Sequence, residues 1–174
     1  YYAVYEAASD RFEVTLYSGD GKFADEKTEK DVSNVPFGEL TCNLEKPTPN
    51  ASGLVFSHYE DENGYPVTAI EKDITLYARY AKPISTLEEL QNVNLAPDQN
   101  YVLLNDIKVF EDEENMDESK FESRFINWTA LGANAKNGFS GTFNGNGFSI
   151  KIYAKSGTAR NFGLFHKLSG TVYN

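Results

Sequence analysis

The run Phe139-Ser-Gly-Thr-Phe-Asn-Gly-Asn-Gly-Phe-Ser-Ile150 constrains this chain more than any other stretch. Apolar residues at Phe139 and Phe143, then at Phe148, Ile150 and Ile152, follow the alternation of strands with two unlike faces. Between them lies Asn144-Gly-Asn-Gly147, where both residue types accept positive φ and the chain can turn sharply. A short strand, a tight turn and another short strand cannot bury an apolar face alone. Such units are stable when they stack, so the pattern predicts a rung of a solenoid.

Three further segments accompany this run in order: Tyr101-Val-Leu-Leu-Asn-Asp-Ile107, Trp128-Thr-Ala-Leu-Gly132 and Asn161-Phe-Gly-Leu-Phe165. Together they resemble the opening of the GLUG-type parallel β-helices of bacterial surface proteins. The resemblance covers about the last half of the chain and implies an architecture and an extracellular location, with no reaction attached. A helix should cover the open end of such a stack. Ser85-Thr-Leu-Glu88 fits a capping box, with Ser85 at the cap, and Leu87, Leu90 and Val93 form one apolar helical face.

The first half carries a different repeat. Ile74-Thr-Leu-Tyr-Ala-Arg-Tyr80 echoes Tyr1-Tyr-Ala-Val-Tyr5 at a period of about 75 residues. Residues 1–8 therefore read as the last strand of a preceding copy, and residues 11–81 as one whole copy. Phe12, Val14 and Leu16 alternate with polar positions as in a half-buried strand. Ser18-Gly-Asp-Gly21 and Asp61-Glu-Asn-Gly64 are turns by composition, and Leu54-Val-Phe56 is a short core strand. The segments Val14-Thr-Leu16, Phe37-Gly38, Pro47-Thr-Pro49, Gly53-Leu-Val-Phe56, Gly64 and Ile74–Tyr80 resemble the Listeria–Bacteroides repeat of bacterial surface proteins. That family implies a small β-grasp. Two positions depart from it: His58-Tyr59 stands where Gly-Trp is usual, and Tyr80 replaces the commoner Trp. Ala81-Lys-Pro83 reads as a linker too short to act as a flexible tether.

The expected fold class is thus all-β with one short helix. A β-grasp-like module over residues 11–81 precedes the helix-capped start of a parallel β-helix over residues 84–174. With 40% hydrophobic and 14% aromatic residues, the 174-residue chain can build cores of this kind.

A formal net charge of −10 disfavours nucleic acid and an anionic membrane as partners. The stretch Glu111-Asp-Glu-Glu-Asn-Met-Asp-Glu118 concentrates that charge. As a solvated insertion it needs no ligand. As a cation site it would offer Glu111, Asp112, Glu113 and Glu114 to Ca²⁺, but the spacing and missing glycine fit no EF-hand. Ser18-Gly-Asp-Gly-Lys22 invites the same thought and places a lysine where a ligand would help.

Cys42, the only cysteine, alternates with Leu40 and Leu44 and reads as a buried or half-buried strand residue. His58 and His166 lack partners at zinc-ligand spacing, and no Gly-x-Ser-x-Gly elbow or phosphate loop occurs. Asp106 reads as a turn residue ahead of a catalytic acid, and Trp128 as packing ahead of a sugar platform.

Three functions follow. The first is a non-catalytic fragment of a modular cell-surface or secreted bacterial protein, acting as a spacer and interaction scaffold. The second is a module in which exposed Tyr17, Tyr59 or Tyr65 binds a glycan or a protein of the host or a neighbouring cell. The third is the accessory region of a secreted hydrolase, either a peptidase or a carbohydrate-active enzyme. No cofactor, catalytic residue or membrane-inserting segment is expected.

Overall fold

A computed structural model describes residues 10–108, 128–152 and 163–174. The described residues are mainly β with one short α-helix, in agreement with the expected class. The chain divides into two compact units between Ala81 and Lys82. The expected final strand over residues 1–8 lies outside the described residues.

In the first unit the strands are β1 (Arg11–Tyr17), β2 (Gly21–Lys22), β3 (Glu29–Pro36), β4 (Thr48–Pro49), β5 (Val55–Glu60) and β6 (Pro66–Val67). They are completed by the part of β7 (Ile74–Ile84) that ends at Ala81. β1 pairs in parallel with β7 and antiparallel with β3, while β5 pairs antiparallel with both β7 and β6. The alternation read from β1 holds. Val14 and Leu16 are buried, and Glu13, Thr15 and Tyr17 face the other way. Val35, Tyr59, Ile70, Leu76 and Ala78 close the core.

Phe23 also joins this core, although it sits in a polar run that reads as solvated connection. Its own peptide groups fold the chain over it, with Phe23 N–H donating to Lys27 O at 3.0 Å and Phe23 O accepting from Glu26 N–H at 3.0 Å. The ammonium of Lys30 then lies 5.9 Å from its ring centre.

Two expectations fail here for a common reason, which is a change of backbone period. The Leu40–Leu44 segment is not an alternating strand. Thr41–Asn43 is a 3₁₀ turn that advances about 120° per residue. Thr41 is turned inward, its hydroxyl donating to Val67 O at 2.6 Å, and Cys42 is swung into solvent. In β5 a bulge between Phe56 and His58 shifts the register, so Ser57 and Tyr59 face inward.

The second unit starts within β7. Lys82, Pro83 and Ile84 pair in parallel with Tyr101, Val102 and Leu103 of β8 (Tyr101–Leu103), so the expected linker at residues 81–83 is strand. Between these strands runs α1 (Leu87–Asn92). Its cap is Thr86, one residue beyond the expected Ser85. Glu89 N–H donates to the Thr86 hydroxyl at 3.2 Å, while the Glu89 carboxylate accepts from Thr86 N and Ser85 N. Leu90 and Val93 are fully in the core.

Next come β9 (Ile107–Lys108), β10 (Thr142–Asn144), β11 (Ile150–Lys151) and β12 (Thr171–Tyr173). All pairing among them is parallel. β10 lies between β8 and β12, with Phe143 opposite both Tyr101 and Val172. β11 lies on β9, and Leu131 and Phe139 bridge in parallel to Phe165 and Leu168. Ile84, Leu90, Tyr101, Leu103, Ile107, Leu131, Phe139 and Phe143 fill the interior, flanked by Trp128, Ile150 and Phe165. Phe148 departs from expectation and is exposed. It closes the Gly145–Phe148 turn by donating its N–H to Gly145 O, so it precedes β11 rather than belonging to it.

Close stacking explains one glycine. A Cβ at Gly141 would sit 1.8 Å from the carbonyl oxygen of Gln99, a backbone atom that has little freedom to withdraw. Gly141→Ala should therefore destabilise the second unit by at least about 1–3 kcal/mol, as overpacking does. Urea unfolding checks this, and a wild-type midpoint would contradict the approach of these two segments.

Candidate functional site

In the first unit, chain register brings four side chains into one line across the sheet. Tyr17 on β1 is opposite Glu29 on β3 and Tyr77 on β7, and Tyr77 is opposite Glu60 on β5. The two tyrosine rings stack with centroids 5.3 Å apart and planes 11° from parallel. Both are half-buried. The Glu29 carboxylate beside it raises the Tyr17 pKa above its ordinary value. Beside this line, Glu13, Thr15, Asp61, Lys72, Asp73 and Thr75 border an open cleft of about 460 Å³.

Tyr17 is therefore on the solvent-facing side of the sheet as expected, but with a ring partner. Nothing in a local reading selects Tyr77, Glu29 or Glu60. The signal that could have found them is parity, since Tyr17 and Tyr77 each lie outside an inward-facing leucine. Tyr65 is 69% exposed and stands at the hairpin held by Asp61, whose carboxylate accepts the N–H groups of Asn63 and Tyr65 at 2.9 Å. Those bonds hold the Asp61 pKa low, with the Tyr65 N–H the largest cause.

Tyr59 does not belong to any surface. It is fully buried, and its hydroxyl donates to the carbonyl oxygen of Glu45. Burial pushes its pKa upward. The expectation of an exposed contact fails because the β5 bulge reverses which side chains face in. Tyr80 donates its hydroxyl to Ser18 O at 2.6 Å, and burial pushes its pKa up to about 12.

At the other end of the line, His58 is nearly enclosed. Its Nδ1 is 3.0 Å from the Ser57 hydroxyl, and its Nε2 is 2.9 Å from a Glu60 carboxylate oxygen. The other Glu60 oxygen accepts from Arg79. Burial lowers the His58 pKa, an effect the Glu60 hydrogen bond partly opposes. The folded state therefore binds this proton more weakly than the unfolded chain does. Its contribution to stability is full above the unfolded value and is lost as pH falls through that value toward the lowered one. Between about pH 7 and pH 5, wild type should lose more stability than His58→Gln, which cannot titrate. Equal losses in chemical unfolding would show that protonation here is neutral.

In the second unit the polar side chains are used as fasteners. Asp106 accepts both the N–H and the hydroxyl of Ser149, at 2.7 and 2.9 Å, joining the chain that enters β9 to the chain that enters β11. The Ser149 N–H is the main cause of its lowered pKa. The buried Asn144 accepts from Asn146 N and from the Asn174 amide. Trp128 packs against the core and donates Nε1–H to Gly163 O at 3.3 Å. His166 is exposed.

The 18–22 turn also satisfies itself, since the buried Ser18 hydroxyl donates to Gly21 O and Lys22 pairs with Glu26. The carboxylates Glu111, Asp112, Glu113 and Glu114 lie outside the described residues. Among the described residues, no group of three metal-ligating side chains converges, and no helix is long and apolar enough to cross a membrane.

No family model, curated protein or solved structure matches this chain. An aromatic stack bounded by two carboxylates offers ring-face contact and hydrogen-bond acceptors together, the combination that a sugar ring or a protein side chain can use.

Proposed function

We propose that the chain is a non-catalytic part of a modular bacterial surface or secreted protein, acting as spacer and interaction scaffold. In this reading the first unit is a β-grasp-like repeat. Support comes from the parallel β1–β7 pair flanked by antiparallel β3 and β5, although residues 37–54 contain a 3₁₀ turn where a β-grasp usually has a helix. The second unit is the start of a parallel β-helix covered by α1.

One observation carries the scaffold reading. Tyr101, Phe143 and Val172 stand in register on three successive parallel strands, so each rung presents its neighbour with a matching strand edge. A structure of this kind grows along one axis and gains stiffness from main-chain pairing. Polar contacts such as Asp106 with Ser149 tie successive segments together.

Antibody against this chain should label intact cells that carry it, and the purified chain should turn over neither polysaccharides nor peptides. Labelling only after lysis, or turnover of either substrate class, would refute the reading. The Tyr17–Tyr77 stack favours a second reading, in which the first unit binds a glycan or protein. Glycan-array binding that disappears in Tyr77→Ala, with the fold retained, would make this the better account.

A further inference from the structure

Four Asn-Gly pairs lie among the described residues: Asn63-Gly64, Asn137-Gly138, Asn144-Gly145 and Asn146-Gly147. Such a pair can react with itself. The glycine nitrogen, after losing its proton, attacks the asparagine side-chain carbonyl carbon. A new N–C bond closes a five-membered imide as the C–N bond to the departing ammonia breaks. Water then opens the imide at either carbonyl, leaving aspartate or isoaspartate and one added negative charge. Glycine suits the step because it has no side chain to obstruct the closing ring.

The fold separates the four pairs by the state of that nitrogen. Gly64 N donates to Asp61 O at 3.0 Å, Gly138 N to Ala135 O at 2.9 Å and Gly145 N to Tyr173 O at 2.9 Å. An N–H held by a carbonyl keeps its proton and its planar geometry. Gly147 N has no such partner among the described residues. Asn146 at φ 51° and Gly147 at φ 79° form the two central positions of the turn closed by Phe148 N and Gly145 O, and both are exposed. A Cβ built at Gly147 would touch nothing within 4 Å, so the ring has room to form.

We propose that Asn146-Gly147 is the self-modification site of this protein. The carboxamide of Asn146 must first release Leu103 O, to which its Nδ2 donates at 3.1 Å. The product cannot remake that bond. It places a carboxylate against a carbonyl oxygen, and isoaspartate also lengthens the backbone by one carbon. The corner between β10 and β11 is thereby unfastened from the rung that ends at Leu103, irreversibly and at a rate set by the fold.

The test is to hold the folded protein in mildly alkaline buffer and follow all four sites by peptide mass mapping with isoaspartate methyltransferase labelling. A parallel sample in denaturant gives each pair's rate without the fold. Folded protein should convert Asn146 at least about twofold faster than any other pair. The bond it must release is on an exposed side chain and its attacking nitrogen is already free, whereas the others must free the backbone nitrogen itself. Conversion led by Asn63, Asn137 or Asn144, or equal at all four, overturns the assignment. Asn146→Gln, whose side chain would close a larger ring far more slowly, should abolish most of the acidification of the folded sample. Acidification of that variant at the wild-type rate would overturn it equally.

Discussion

Replacing Phe139 by alanine should cost the second unit about 3–5 kcal/mol, the range for deleting a fully buried phenylalanine. Phe139 is completely inaccessible to solvent. Its ring centre lies 5.3 Å from that of Phe165, 6.2 Å from Phe143 and 6.3 Å from Tyr101. These partners come from three separate segments, so the cavity would open at the meeting point of the stack rather than at its margin. Relaxation into it is limited, because Phe139 N and O are held by Lys167 O and by Ser169 and Gly170 N–H. Trp128 is the only tryptophan and packs against this core, so its fluorescence in a urea titration reports the change directly. A loss below about 1 kcal/mol would mean that the stacked interior is loosely filled, contrary to the packing described.

Much of this interior was legible because its signals are local. Alternation named Val14, Leu16 and Phe143 correctly, and the Asn144–Gly147 composition announced a turn where Asn146 and Gly147 do take positive φ. The Ser/Thr-x-x-Glu pattern found α1 but admitted two registers. Ser85-Glu88 and Thr86-Glu89 both satisfy it, and the structure uses the second, with the Glu89 carboxylate accepting from both Thr86 N and Ser85 N. What was not legible depends on backbone events that leave composition unchanged. The bulge after Phe56 reverses the faces of β5, and the 3₁₀ turn at Thr41 exposes Cys42. The Glu29–Tyr17–Tyr77–Glu60 line was hidden differently, since it exists only once strands distant in sequence are paired.

Tyr59 turns that hidden reversal into the second large effect. Tyr59→Ala should destabilise the first unit by about 3–5 kcal/mol, whereas Tyr59→Phe should cost only about 1–1.5 kcal/mol. The ring is fully enclosed and lies 4.9 Å from the ring of Phe56, centre to centre. Removing it leaves a large void, while removing the oxygen alone leaves Glu45 O without its donor. The pair of variants therefore separates packing from hydrogen bonding at one position. A surface tyrosine used for binding would give the opposite ranking of consequences, with both variants near wild type in stability and any ligand lost. Hydrogen exchange at the amides of β1 and β7 provides the readout, because Leu16 and Leu76 belong to the same core as Tyr59. Protection that survives Tyr59→Ala unchanged would return this residue to the surface and, with it, the parity assigned to β5.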